Sequence, residues 1–149
     1  MKLDTFFESR TQYAPLFIRI GLATVFLLFG LKKLIDPSQT TAEIQLLAQF
    51  LTLGAASAIN YYMGLFETLI AIFLFIGYQT RRIAFLAGGM VAFIFASFII
   101  KYRTLNPDIS RDIGLLGGAL ALLFWGAGPL SLDQRKKDKE NPTSSTPQQ

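Results

Sequence analysis

The chain contains no cysteine and no histidine among its 149 residues. Without thiols it holds no disulfide, runs no thiol redox chemistry and ligates no iron–sulfur cluster. Without imidazole a b-type haem loses its usual axial ligand, and most zinc and copper sites lose theirs. Any electrons that pass near this protein therefore travel on an organic carrier or through a partner subunit. Charge is scarce as well, at 16% of residues against 52% hydrophobic. A soluble domain carries about a quarter charged residues, so the composition points to an integral membrane protein. The net charge is +4, but the basic residues sit at segment ends. They read as topology signals, and nucleic acid is not an expected partner.

The hydrophobic runs are long. Asn60–Tyr78, NYYMGLFETLIAIFLFIGY, holds a single acid, Glu67, and is long enough to cross a bilayer as a helix. A carboxylate inside such a segment costs roughly 3 kcal/mol at mid-helix, so Glu67 requires a partner charge, a proton or a water-lined cavity. Similar runs over 15–34, 83–100 and 112–127 complete an all-α integral membrane four-helix bundle. Pro15 suits the start of the first helix. After the break at Asp36-Pro37, residues 41–53 are apolar at Ile44, Leu47 and Leu51 and polar at Glu43, Gln45 and Gln49. That segment is too short to span and reads as an interfacial helix or lid. Residues 1–14 suit an interfacial segment; the acids Asp4 and Glu8 argue against a secretory signal. The polar tail 134–149 reads as disordered.

Eight basic residues fall on the side of the termini and the 79–82 turn, and five on the opposite side, which places both termini in the cytoplasm. Several charges remain to be housed. Arg19, Gly30 and Lys33 fall within about 60° of one another on the first helix; Arg19 either faces the bundle or snorkels. Asn60, Gly64, Glu67 and Ala71 share a face of the second. Arg111 shares a face of the fourth with Gly114 and Gly118, which favours an inward direction. On the third helix Ala84, Gly88, Ala92 and Ala96 form a small-residue row suited to close packing.

Lys33, Glu67, Arg111 and Asp112 thus come to a common depth on three helices, with Arg19, Gly30 and Asn60 in supporting positions. Two readings stay open: a buried ion-pair network that fixes helix register, or an outer-facing pocket roofed by the 41–53 helix. As a pocket it suits a quinone headgroup, with Glu67 exchanging protons and Lys33 or Arg111 touching carbonyl oxygens. A small oxyanion suits the two cations equally.

The segments GLATVFLLFGLKKL, the Glu67 helix ending IGYQTRR, and RDIGLLGGALALLFWGAGPLSLD together resemble the DoxX family of small four-helix bacterial membrane proteins. The likeness runs over about residues 16–133. Its most specific parts are Gly30 to Lys33, Glu67, the Thr80-Arg81 turn and the GAGPLSLD run. The resemblance implies a multi-pass protein of the bacterial plasma membrane acting in redox homeostasis beside soluble redox enzymes. No covalently bound cofactor is expected, and a quinone is a candidate ligand beside a small sulfur oxyanion. The quinone role belongs to a branch with additional domains that these 149 residues do not carry, and no self-sufficient active site is visible. The alternative is a non-catalytic scaffold or anchor recruiting such enzymes, and a transport role would require a homo-oligomer.

Overall fold

The computed structural model of the chain describes residues 8, 10–39, 42–51, 55–103 and 107–140. A 3-10 turn, Thr11–Tyr13, leads into α1, Ala14–Ile35. Pro15 occupies its first turn, where the missing N–H removes no helical hydrogen bond. Next come α2, Ala42–Leu51; α3, Ala56–Ile76; α4, Thr80–Tyr102; α5, Pro107–Trp125; and α6, Leu132–Glu140. No strand occurs among the described residues.

Among the described residues, three helices are long and apolar enough to cross a membrane: α1 with its preceding turn, α3 and α4. The 22 residues of α1 rise about 33 Å, the thickness of a bilayer's hydrocarbon core. The fourth long helix, α5, carries Asp108, Arg111 and Asp112 within its first six positions, and its apolar run starts only afterwards. Helices α3 and α4 begin several residues earlier than their hydrophobic runs, because apolarity marks membrane depth while backbone hydrogen bonding continues into the flanks.

The helices associate as two tight pairs, α1 with α3 and α4 with α5, joined mainly through α1 and α5. Leu22, Ala23 and Phe26 of α1 meet Ile70, Ala71 and Leu74 of α3 and Ala84, Ala87 and Val91 of α4, closed by Ala119 and Leu122 of α5. Small residues set the approach between α4 and α5, where a Cβ on Gly88 would lie 3.3 Å from the Ala119 Cβ. The expected small-residue row is half correct: Ala84 and Gly88 are buried, whereas Ala96 is exposed. The buried line runs instead through Ala84, Ala87, Val91 and Phe98, because 3.6 residues per turn carries a strict four-residue spacing off the contact face.

Two outer elements differ from the sequence reading. Helix α2 is where expected, with Ile44, Leu46 and Leu47 buried, but it packs on α3 and α4. It therefore does not roof the α1–α3 seam. The start of the tail, expected to be disordered, is helical through Glu140. The Asp133 carboxylate accepts hydrogen bonds from the backbone N–H groups of Gln79 (2.7 Å) and Thr80 (2.8 Å), and the Asp133 N–H donates to the Gly77 carbonyl (3.0 Å). That clamp fixes the start of α6 to the α3–α4 turn and caps the N-terminus of α4. Residues 1–7 and 141–149, parts of the predicted interfacial segment and tail, lie outside the described residues.

Candidate functional site

Two glycines build the site. Helices α1 and α3 run antiparallel and cross so closely that a Cβ on Gly30 would lie 2.9 Å from the Gly64 carbonyl oxygen. A Cβ on Gly64 would lie 2.9 Å from the Gly30 carbonyl and 2.7 Å from the Lys33 Cβ. Only glycine at both positions lets the two backbones touch. At this crossing Lys33 lies directly over Gly64, and Thr68, the neighbour of Glu67, lies against Gly30.

Lys33 reaches across and forms an ion pair with Glu67, its Nζ donating to Oε1. Glu67 is 5% exposed. Its second carboxylate oxygen, Oε2, is buried and has no hydrogen-bond partner among the described residues. A buried orphan acceptor on a charged group costs several kcal/mol by general expectation, and such atoms in native proteins call for an explanation. Thr68 does not supply the missing donor: its hydroxyl donates to the Gly64 carbonyl at 2.8 Å.

The other expected site residues divide. Arg111 and Asp112 lie within electrostatic range of Glu67, but Arg111 does not point into the bundle. Its guanidinium sits 4.4 Å from the centre of the Phe29 ring, a cation–π contact, and donates to Asp112 at 3.3 Å. Its side chain is 43% exposed. The glycine face that suggested burial is itself open: a Cβ on Gly114 would meet nothing within 4 Å, and only Gly118 packs, against Leu22. Asp112 is the more buried partner, at 13% side-chain exposure.

Asn60 is 1% exposed and works as a clamp. Its amide donates to the Pro37 (3.0 Å) and Gln39 (3.3 Å) carbonyls, tying the first turns of α3 to the turn that ends α1. Within that turn, hydrogen bonds from Ser38 hold the Asp36 carboxyl below the usual carboxylate range.

Arg19 belongs to a different cluster. Fourteen positions from Lys33, it lies about 21 Å away along α1. The residue is 1% exposed, with Nη1 donating to the Ala127 carbonyl (2.8 Å) and Nη2 to the Leu130 carbonyl (3.0 Å). It faces the protein, as one of the two sequence readings had it, but it locks the 126–131 loop rather than joining the site. Gly77 and Gly128, at φ +68° and +67°, are required there: a side chain on the first would run into Arg19 and Ser131, and one on the second into Pro15. Sequence reasoning missed this cluster of Arg19, Ser131 and Asp133, although the GPLSLD run already contained two of its members.

Among the described residues, three membrane-length helices, two of them joined by the Lys33–Glu67 ion pair, define a multi-pass integral membrane protein of the all-α class. The DoxX family model matches residues 14–100, more than half of the chain, and the chain belongs to the DoxX family. The match spans both Lys33 and Glu67; Arg111 and Asp112 lie beyond it. No curated protein and no solved structure matches the chain.

Proposed function

We propose that this DoxX-family protein crosses the bacterial plasma membrane four times, with both termini in the cytoplasm, and binds a quinone headgroup at the Lys33–Glu67 pair. It acts in redox homeostasis beside a soluble redox partner. Counting α5 as the fourth crossing is favoured by its 19 residues, about 28 Å. It is also favoured by the bonds that gather the 126–131 loop and α6 against Arg19 and the α3–α4 turn at one end. The eight-to-five basic bias favours the cytoplasm for that end.

The observation that carries the ligand reading is the buried, unpartnered Glu67 Oε2 beside an oxygen already engaged by Lys33. A ligand that donates a hydrogen bond to Oε2 would remove the penalty of the orphan acceptor. A quinone pair meets this, because its reduced form carries hydroxyl donors and its oxidised form carries carbonyl acceptors within reach of an ammonium. A sulfur oxyanion is less well supported. Lys33 is neutralised by Glu67 and Arg111 pairs with Asp112, so the site offers no net positive charge.

When bound, a quinone supplies two-electron, two-proton chemistry. Glu67 would hold or release the proton at Oε2, and Lys33 would fix the carboxylate's orientation through Oε1. With no cysteine or histidine in the chain, the electrons come from the partner. Glu67→Gln tests this: the variant inserts and folds while quinone-dependent reduction in membranes falls. Unchanged turnover counts against the proposal.

A scaffold role is favoured by one observation, the Asp133 clamp, which presents the exposed basic side chains Arg135, Lys136, Lys137 and Lys139 on a helix rather than a loose tail. Deleting residues 134–149 releases a soluble partner under that reading and leaves it bound under the pocket reading.

A further inference from the structure

Helices α3 and α4 follow one another in the chain, yet each packs chiefly on another helix, α3 on α1 and α4 on α5. Between them lies an apolar groove of about 470 Å³, whose lining includes Leu47 of α2, Tyr62, Met63 and Phe66 of α3, and Met90 and Phe93 of α4. Ile94 also lines it. Lys101 is seven positions further along α4, within about 20° of Ile94 around the axis and about 10 Å beyond it. The groove therefore runs toward a lysine at the α2 end. The Lys101 Nζ donates to the Gln49 amide oxygen (3.2 Å), and no carboxylate among the described residues pairs with it.

We propose that this groove is a binding site for one anionic phospholipid, an acyl chain lying along Met63, Phe66, Met90 and Ile94 and the phosphate meeting Lys101. A slot inside a bilayer fills with hydrocarbon, and two methionines give it the adaptable wall that a flexible chain needs. The ammonium at its end, which no carboxylate among the described residues pairs with, selects an amphiphile whose head is negative. A second copy of the chain fits poorly. A helix about 10 Å wide with a 5.4 Å pitch would fill 470 Å³ with roughly one turn. The site is separate from the Glu67 pair and does not depend on quinone binding.

The test is native mass spectrometry of the full chain, delipidated in detergent and offered equal amounts of phosphatidylglycerol and phosphatidylcholine with identical acyl chains. The expected result is one bound phosphatidylglycerol, favoured roughly fivefold over phosphatidylcholine, the preference one lysine near the surface provides. Lys101→Gln brings the ratio to parity, and Met90→Trp, which fills the slot, lowers retention of both lipids. Should Met90→Trp fail to fold, Ile94→Phe blocks the same slot with a smaller change. A wild-type ratio near one, a preference unchanged in Lys101→Gln, retention unchanged in a folded slot-filling variant, or a dimer mass in place of a lipid adduct would each overturn the proposal.

Discussion

Adding a single methyl group at Gly64 tests the crossing that builds the site. In Gly64→Ala the new Cβ would stand 2.7 Å from the Lys33 Cβ and 2.9 Å from the Gly30 carbonyl, where ordinary contact begins at 3.4 Å. The Gly30 atom is backbone and cannot swing aside, so α1 must move off α3 by roughly half an ångström or more. Overpacking of this kind costs about 1–3 kcal/mol. The right reference is Gly117→Ala, because a Cβ there meets nothing within 4 Å and the intrinsic gain of alanine over glycine in a helix is common to both variants. Thermal unfolding in detergent is therefore expected to place Gly64→Ala about 2–12 °C below Gly117→Ala, at roughly 2–4 °C per kcal/mol for a chain of this size. Because Lys33 sits on the displaced face, quinone affinity should fall in parallel. If Gly64→Ala melts at or above Gly117→Ala, the two backbones are not in contact and the geometry assigned to the ion pair is wrong.

Other perturbations separate the site from its frame. Arg19→Leu removes two charge-assisted hydrogen bonds and leaves the Ala127 and Leu130 carbonyls without that donor, so a loss of about 3–5 kcal/mol is expected in detergent unfolding. Arg19→Lys should recover little of it, since one ammonium cannot reproduce the forked geometry. Asp133→Ala deletes the acceptor for the Gln79 and Thr80 N–H groups and should cost about 1 kcal/mol. Its signature is loss of amide protection throughout α6 in hydrogen exchange, with α1 and α3 unaffected; protection that persists in α6 would show that the helix does not depend on this clamp.

Much of the fold was legible because membrane-length apolar runs announce themselves, and a lone acid in one of them demands a partner. Lys33 and Glu67 could be brought to one depth from helical register, since Lys33 shares the inward Gly30 face in the last turn of α1 and Glu67 shares the Gly64 face in the middle of α3. Arg19 and Arg111 were harder. Each is near a helix start, where a long side chain has a choice of directions, and the choice was made by groups distant in sequence: the 126–131 carbonyls for Arg19 and the Phe29 ring for Arg111. The same cause hid α6. Its composition is that of a solvated tail, and its anchor is a contact between Asp133 and a turn more than fifty residues earlier. The position of α2 depended on which seam of the bundle was left open, a property of packing that no periodicity within residues 41–53 encodes.

Under the proposed function, the partly buried pair of Lys33 and Glu67 holds a ligand rather than the helices. Replacing both partners at once, as Lys33→Met with Glu67→Leu, decides it, because exchanging a buried ion pair for apolar side chains of similar size is often neutral or stabilising. Binding of a short-chain quinone to the purified double variant, measured by equilibrium dialysis alongside thermal unfolding, is predicted to weaken by about 10- to 100-fold, as loss of a hydrogen bond to a charged group implies. The melting temperature should be unchanged or raised. Quinone affinity equal to the parent's, together with a melting temperature that drops, would contradict the account and leave the pair as a structural tie.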